Sequence, residues 1–421
     1  MKKAKLASIL MLSAAWVFGA ATVTYVAAPE AAYAAKTDSK KVIKNKKIGA
    51  PLKAAQELMA KNDYAGALPK IKEAEAVAEK TPYEAYVINQ FLSISYLKTG
   101  DYRSAAKAFE AILKSPEMPA EDLGQNLMVL TQLSYQLKDY SKATEYGNRY
   151  LTTVGPREDI QLMVGNAYYL QKNYKQASNI LRNAIQTSEK AGKTPPKEWY
   201  DVLMSSEYEL GNSEGVKNVL IEKIKNYPSA GDWSKVLDFT ERRPAMSDRL
   251  SLDVYRLRLL TGGSLGSADY MEMAQLAMQV ALPGEAKAIL DKGYAAGILG
   301  KNAEKERQDR LMKMAKTQAD ADLKSLSQQE KSAMKLKTGD AEIKIGEAYG
   351  SYGQYDKAIE VIQRGIAKGG LKAPEEATLR LGIAQMFAGK KQEALNTLRS
   401  IKGDSNVAEI ARLYAIYARQ R

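Results

Sequence analysis

The sequence predicts an all-α fold, a solenoid of short helix-turn-helix repeats that runs through most of the chain. Three observations carry this. The phrase TGDYRSAAKAFEAIL at residues 99–113 returns in altered form: NDYAGALPKIKEA from Asn62, KDYSKATEY from Lys138, NYKQASNILRNAI from Asn173 and GQYDKAIEVIQRGI from Gly353. Aligned on the small residue three after the tyrosine, the copies fall at Ala67, Ala105, Ala143 and Ala177, and on weaker matches at Val216, Ala286, Ala358 and Ala394. The intervals are 38, 38, 34, 39, 70, 72 and 36 residues, and apolar residues on both sides of each turn keep helical spacing. A unit of about 34 residues with that spacing is a helical hairpin, which cannot bury its apolar face alone and stacks on its neighbours. The two long intervals are each near twice the unit, so each is expected to hold a degenerate helix pair.

In chain order, residues 1–34 read as a signal peptide. Lys2, Lys3 and Lys5 form a positive start, residues 6–28 carry no charge, and Ala32-Tyr33-Ala34 supplies a small-x-small cleavage pattern. Cleavage after Ala34 and export to a bacterial periplasm are expected. The alternative is an uncleaved anchor in the inner membrane facing the periplasm, since 23 uncharged residues can also span a bilayer. Residues 35–49, with KTDSKKVIKNKK, form a basic flexible leader.

Residues 50–230 form the N-terminal array. In each hairpin the small residue sits where the second helix crosses the first, and the tyrosine before it packs across the turn. An apolar residue four further on (Ile71, Phe109, Leu181, Leu220, Leu290, Ile362, Leu398) fills the contact with the next repeat. Gly165, Gly346 and Gly382 sit mid-helix, where glycine costs about 1 kcal/mol against alanine, so close helix approach is expected there. Residues 231–300 read as degenerate pairs, with WSKVLDFTERRP ending at Pro244 and LSLDVYRLRLL stopping at Gly262-Gly263. Residues 301–338 are a charged helical insertion with a thin apolar stripe at Leu311, Met314 and Ala315; it packs lightly on the array or engages a partner. Residues 339–421 carry the last repeats and a helix, VAEIARLYAIYARQR, that caps the end.

This unit resembles the tetratricopeptide repeat, over most of residues 50–418. The resemblance implies a right-handed superhelix whose first helices line a concave groove, and a protein-binding role. A narrower resemblance follows the order SPEMPAEDLGQNLMVLTQLSYQLKDYSKATEYGNRYL, SEKAGKTPPKEWYDVLMSSEYELGN, IKNYPSAGDW and YMEMAQLAMQVALPGEAKAILDKGYAAGIL. This order is similar to exported repeat proteins encoded beside the ExbB, ExbD and TonB energy-coupling components of Gram-negative bacteria. It covers residues 50–300, and the last 120 or so residues extend beyond it. It implies a partner among TonB-system components.

Carrying the family's groove positions onto this chain gives a candidate set in three successive repeats. Gln132, Asn166 and Ser205 are equivalent, as are Tyr135, Tyr169 and Tyr208; Gln125, Met128, Asp159, Glu198 and Asp201 lie nearby. Amides and hydroxyls can bond an extended backbone, and tyrosine offers area with a polar tip. The same rings could instead fill the seam between repeats. Relatives that clamp a terminal carboxylate use lysine where this chain has Gln90, Met128, Leu162 and Asp201, so that activity is not expected.

Composition excludes much chemistry. The chain has no Cys and no His, which removes disulfides, thiolate and imidazole metal sites, cysteine nucleophiles and histidine bases. No phosphate-binding or nucleophile-elbow motif is present; Gly262-Gly263-Ser264-Leu265-Gly266 reads as a helix-terminating turn, and Glu121-Asp122 and Glu375-Glu376 sit at helix starts. No enzyme activity, cofactor or metal is expected. The formal charge is +13, and loss of residues 1–34 takes three lysines and one glutamate to leave +11. That excess favours anionic envelope surfaces over none, with nucleic acid excluded by export. The alternatives are a cell-wall-associated scaffold and a carboxylate-based peptidoglycan hydrolase, the latter requiring two acids within about 10 Å in a cleft.

Overall fold

The computed structural model describes residues 42–301 and 303–421. The signal peptide, its anchor alternative and the first part of the leader lie outside the described residues. Among those described the secondary structure is helical with no strand, and the chain divides into two compact units at residue 216.

The N-terminal unit holds α1 (Lys46–Ala60), α2 (Tyr64–Glu75), α3 (Pro82–Thr99), α4 (Tyr102–Lys114), α5 (Leu123–Gln136), α6 (Tyr140–Thr153), α7 (Glu158–Leu170), α8 (Tyr174–Lys190) and α9 (Lys197–Glu209). Each packs on its sequence neighbours, as a hairpin array requires. The recurring turn has a clear local cause. Asp63, Asp101, Asp139 and Asn173 cap the second helix of each hairpin, accepting from the backbone N–H of Gly66, Ser104, Lys142 and Gln176. The residue before each cap is left-handed: Asn62, Gly100, Lys138 and Lys172, with φ between 60° and 81°. Glycine fits this position without a β-carbon clash.

Hairpins close by matching a small residue against a large one sixteen positions later. A β-carbon on Gly165 would lie 2.9 Å from Leu181 Cγ, on Gly346 2.4 Å from Ile362 Cγ1, and on Gly382 2.7 Å from Leu398. The expected close approach is therefore present. The large residue, expected to reach the next repeat, is used against the first helix of its own hairpin. In one repeat the glycine is on the second helix: a β-carbon on Gly147 would lie 3.2 Å from Thr131 Cγ2 of its own hairpin and 2.2 Å from Val164 Cγ2 of the next.

The C-terminal unit holds the rest of α10 (Ser213–Asn226), then α11 (Ala230–Glu241), α12 (Asp248–Leu260), α13 (Ser267–Gln279), α14 (Pro283–Ala295), α15 (Lys305–Met334), α16 (Asp340–Ser351), α17 (Tyr355–Lys368), α18 (Pro374–Phe387), α19 (Lys391–Ser400) and α20 (Asn406–Gln420). The first long interval does contain an extra pair, α11 and α12. The second does not: one 30-residue helix, α15, occupies it, because no proline or glycine interrupts residues 303–338. The segment after Leu260 turns at Gly262, φ +76°, as the glycine cluster suggests. Pro374 and Glu375-Glu376 open α18, and Glu121-Asp122 lie in a single 3-10 turn before α5.

Helix α20 does more than cover the last repeat. It packs on α18 and α19 and also returns to α11 and α12. Gln420 Nε2 donates to the Ile224 carbonyl at 2.6 Å, Asn406 Nδ2 to the Pro244 carbonyl at 2.9 Å, and Arg243 Nε to Asn406 Oδ1 at 2.8 Å. The unit thus closes on itself.

Candidate functional site

In the N-terminal unit the contacts between alternate helices join odd-numbered ones: α1 with α3, α5 with α7, and α7 with α9. Helices that approach at every second place form the tighter, inner layer of a stacked array. The positions singled out from sequence lie on α5, α7 and α9 with one spacing. Gln125, Met128, Gln132 and Tyr135 are at steps 0, 3, 7 and 10 of α5; Asp159, Asn166 and Tyr169 are at steps 0, 7 and 10 on α7; Glu198, Asp201, Ser205 and Tyr208 repeat all four on α9. These steps keep to one helical face.

Their environments differ. Gln125, Gln132, Tyr135, Asn166, Tyr169, Asp201 and Ser205 are half-buried, whereas Asp159, Glu198 and Tyr208 are exposed. Met128 is buried and belongs to the core. Asp159 is taken by Arg157 Nε at 2.7 Å, and Ser205 Oγ donates to the Asp201 carbonyl at 2.9 Å. Gln132 Oε1 is buried with no hydrogen-bond partner among the described residues. Tyr135 meets Tyr140 edge to face at 5.6 Å between centroids, and Tyr169 meets Tyr174 at 5.4 Å. Each ring therefore packs across its own turn with part of its surface uncovered. Burial, then the neighbouring ring, pushes the Tyr135 hydroxyl up from its ordinary pKa; for Tyr169 burial acts first, followed by Glu209 and Tyr174. Tyr208 is 41% exposed because Ser213 stands where the preceding repeats place their second ring.

The same unit contains a buried carboxylate that sequence reasoning passed over. Glu207 accepts from Ser178 Oγ, Arg182 Nη2 and Asn212 Nδ2, tying α9 to α8 and to the turn that follows. Burial works to raise its pKa, but these donors outweigh it and hold the carboxyl below its usual range.

The C-terminal unit holds a second concavity, also missed. A cavity of about 220 Å³ lies among α12, α13, α14, α16, α17 and α18, with Leu259, Ile289, Ile383 and Phe387 on its walls. Its floor is ionic. Asp253 and Arg380 are almost fully buried and pair at 2.6 Å, Arg380 Nε meets Glu347 Oε1 at 3.0 Å, and Arg256 Nε meets Glu285 Oε1 at 2.6 Å. Arg249 also engages Glu347. For Arg380, burial works against the charge, but Asp253 and Glu347 outweigh it and raise its pKa. Glu285 and Glu347 are the carboxylates at this cavity, and both are tied to guanidinium groups in place of a free proton-transfer position. The trace in sequence is the placing of Arg249, Asp253 and Arg256 at steps of four and three on one helix.

Residues 92–159 match the tetratricopeptide repeat family. This segment runs from within α3 to the start of α7 and contains two of the capped turns. Among solved structures, a tetratricopeptide repeat protein from Parabacteroides merdae is similar over 81% of this chain and 100% of its own, at 13% identity and a TM-score of 0.32. A complex of Naa15 and Naa10 bound to HypK-THB is similar over 86% of this chain and 64% of the matched one, at 17% identity and a TM-score of 0.33. No curated protein matches.

Proposed function

We propose that this chain is a non-enzymatic interaction scaffold that holds an extended segment of a partner protein along the inner face of α5, α7 and α9. One observation carries the reading. The same amide-or-hydroxyl and tyrosine pair recurs at one register on three successive inner helices, each member at least partly exposed. A segment crossing these helices would meet a hydrogen-bonding group and an amphipathic ring at each repeat. The partner is a protein of the cell envelope. Export rests on the charge-flanked apolar N-terminus, and a link to TonB-type energy coupling rests on the ordered segments ending in LPGEAKAILDKGYAAGIL. The excess positive charge favours a second reading, a scaffold on the cell wall.

The experiment is crosslinking in intact envelopes followed by capture and mass spectrometry, with native chain and with Gln132→Leu combined with Tyr169→Ala. Recovery of ExbB, ExbD or TonB homologues, reduced at least about tenfold by the variant, supports the proposal. Capture unchanged by a variant of native helicity refutes the groove. Recovery of cell-wall fragments alone replaces the energy-coupling reading by the second one.

A further inference from the structure

Helix α15 segregates charge across its width. Its inner side is buried at Leu311, Ala315, Ala319, Leu326 and Ala333. Two of its acids are spent inward: Glu330 takes Tyr349, Arg364 and Lys357, and Asp322 takes the Tyr352 hydroxyl at 2.8 Å. In the first turns the outer cations are neutralised along the helix, Lys305 by Asp309 and Arg310 by Glu306. From there on they are not. Lys313, Lys316, Lys324, Lys331 and Lys335 are all exposed, and among the described residues none of their ammonium groups is in an ion pair or hydrogen bond. At about 100° per residue they fall within an arc of roughly 100°, and at 1.5 Å per residue they span about 33 Å. From residue 313 to 335 Asp320 is the one acid on that arc, and Leu323 and Met334, about half exposed, lie together at one edge of it.

We infer that this outer face of α15 is a docking surface for an anionic phospholipid bilayer. The partner's form follows from the shape of the surface. A helix buried along its inner side offers a convex ridge with no walls to hold a peptide, so a line of cations on it matches a plane of negative charge. Basic groups held near such a plane each add to the attraction, and Leu323 and Met334 can enter the headgroup layer while the lysine stems lie along it. This surface is independent of the groove on α5, α7 and α9.

The test uses the full chain, which has no native cysteine. A donor fluorophore on Ser327→Cys, within the arc, reports energy transfer to an acceptor lipid in vesicles about one-third phosphatidylglycerol. Transfer is expected in these vesicles, lost in neutral phosphatidylcholine ones and lost near 1 M salt, where screening acts within about 3 Å. Lys313→Gln, Lys324→Gln, Lys331→Gln and Lys335→Gln together should weaken it by on the order of 1,000-fold. The charge-matched control, Lys53→Gln, Lys98→Gln, Lys107→Gln and Lys175→Gln on the N-terminal unit, should leave it within about twofold. No transfer, or equal loss in both variants, overturns the inference, because other basic segments would then account for any attachment. Stripe-dependent binding to a soluble polyanion without transfer to vesicles also overturns it, in favour of an acidic polymer.

Discussion

Two glycines on α16, four residues apart, should respond to alanine with opposite sign. Alanine is favoured over glycine inside a helix by about 1 kcal/mol, and that gain is open to both sites. At Gly346 the new β-carbon would lie 2.4 Å from Ile362 Cγ1 and 3.1 Å from the Ala358 carbonyl oxygen. Ile362 is fully buried and branched at its β-carbon, so neither neighbour can swing aside. Overpacking of this kind costs about 1–3 kcal/mol, and Gly346→Ala should be destabilising by up to about 2 kcal/mol net. At Gly350 the nearest atom is Ala358 Cβ at 3.8 Å, an ordinary contact. Gly350→Ala, in the last turn of the helix, should be stabilising by about 0.5 kcal/mol. The assay is urea denaturation followed by the fluorescence of Trp233, buried in α11 of the same unit, in a Trp199→Phe background. A midpoint that rises for both substitutions would refute the argument that small-against-large pairing fixes the hairpins.

Three further outcomes follow from the geometry. Arg380→Met leaves the fully buried Asp253 with Arg256 alone and Glu347 with Arg249 alone; unfolding of the C-terminal unit should become easier by about 1–3 kcal/mol, and a loss under about 0.5 kcal/mol in a thermal melt would show the pair to be dispensable. Glu207→Gln should weaken the N-terminal unit by about 1–3 kcal/mol at neutral pH. The carboxyl titrates lower in the folded chain than in the unfolded one, so its contribution is full above about pH 4.3 and fades as pH falls through the folded value. The gap between native and variant midpoints should therefore narrow below about pH 4, and a constant gap would sink the linkage. Lys138→Gly and Ala281→Gly replace left-handed residues at φ 60° and 61°; each should raise stability by up to about 1 kcal/mol, since glycine avoids the β-carbon clash, and a fall in melting temperature would contradict it.

The repeat was legible because its signals are local. A left-handed residue, an Asp or Asn cap and a tyrosine opening the next helix occupy three adjacent positions, and each works through its own backbone. The mid-helix glycines announced close packing for the same reason: glycine there is costly unless a neighbour needs the space. What the large residue of each pair would touch was not legible, since it depends on which helix lies opposite, and it turned out to be the first helix of the same hairpin. The second long interval misled because spacing alone counts residues, and 30 of them serve as well in one helix as in two.

The sequence by itself determined the helices, their turns and the repeat to which residues 92–159 conform, all consequences of contacts within a few residues. Tertiary structure alone decided that α20 returns to α11 and α12, that Asp253 pairs with Arg380 across 127 positions, and that a cavity opens above that floor. Those contacts depend on how small angles between successive hairpins accumulate, a quantity that no single stretch of chain encodes.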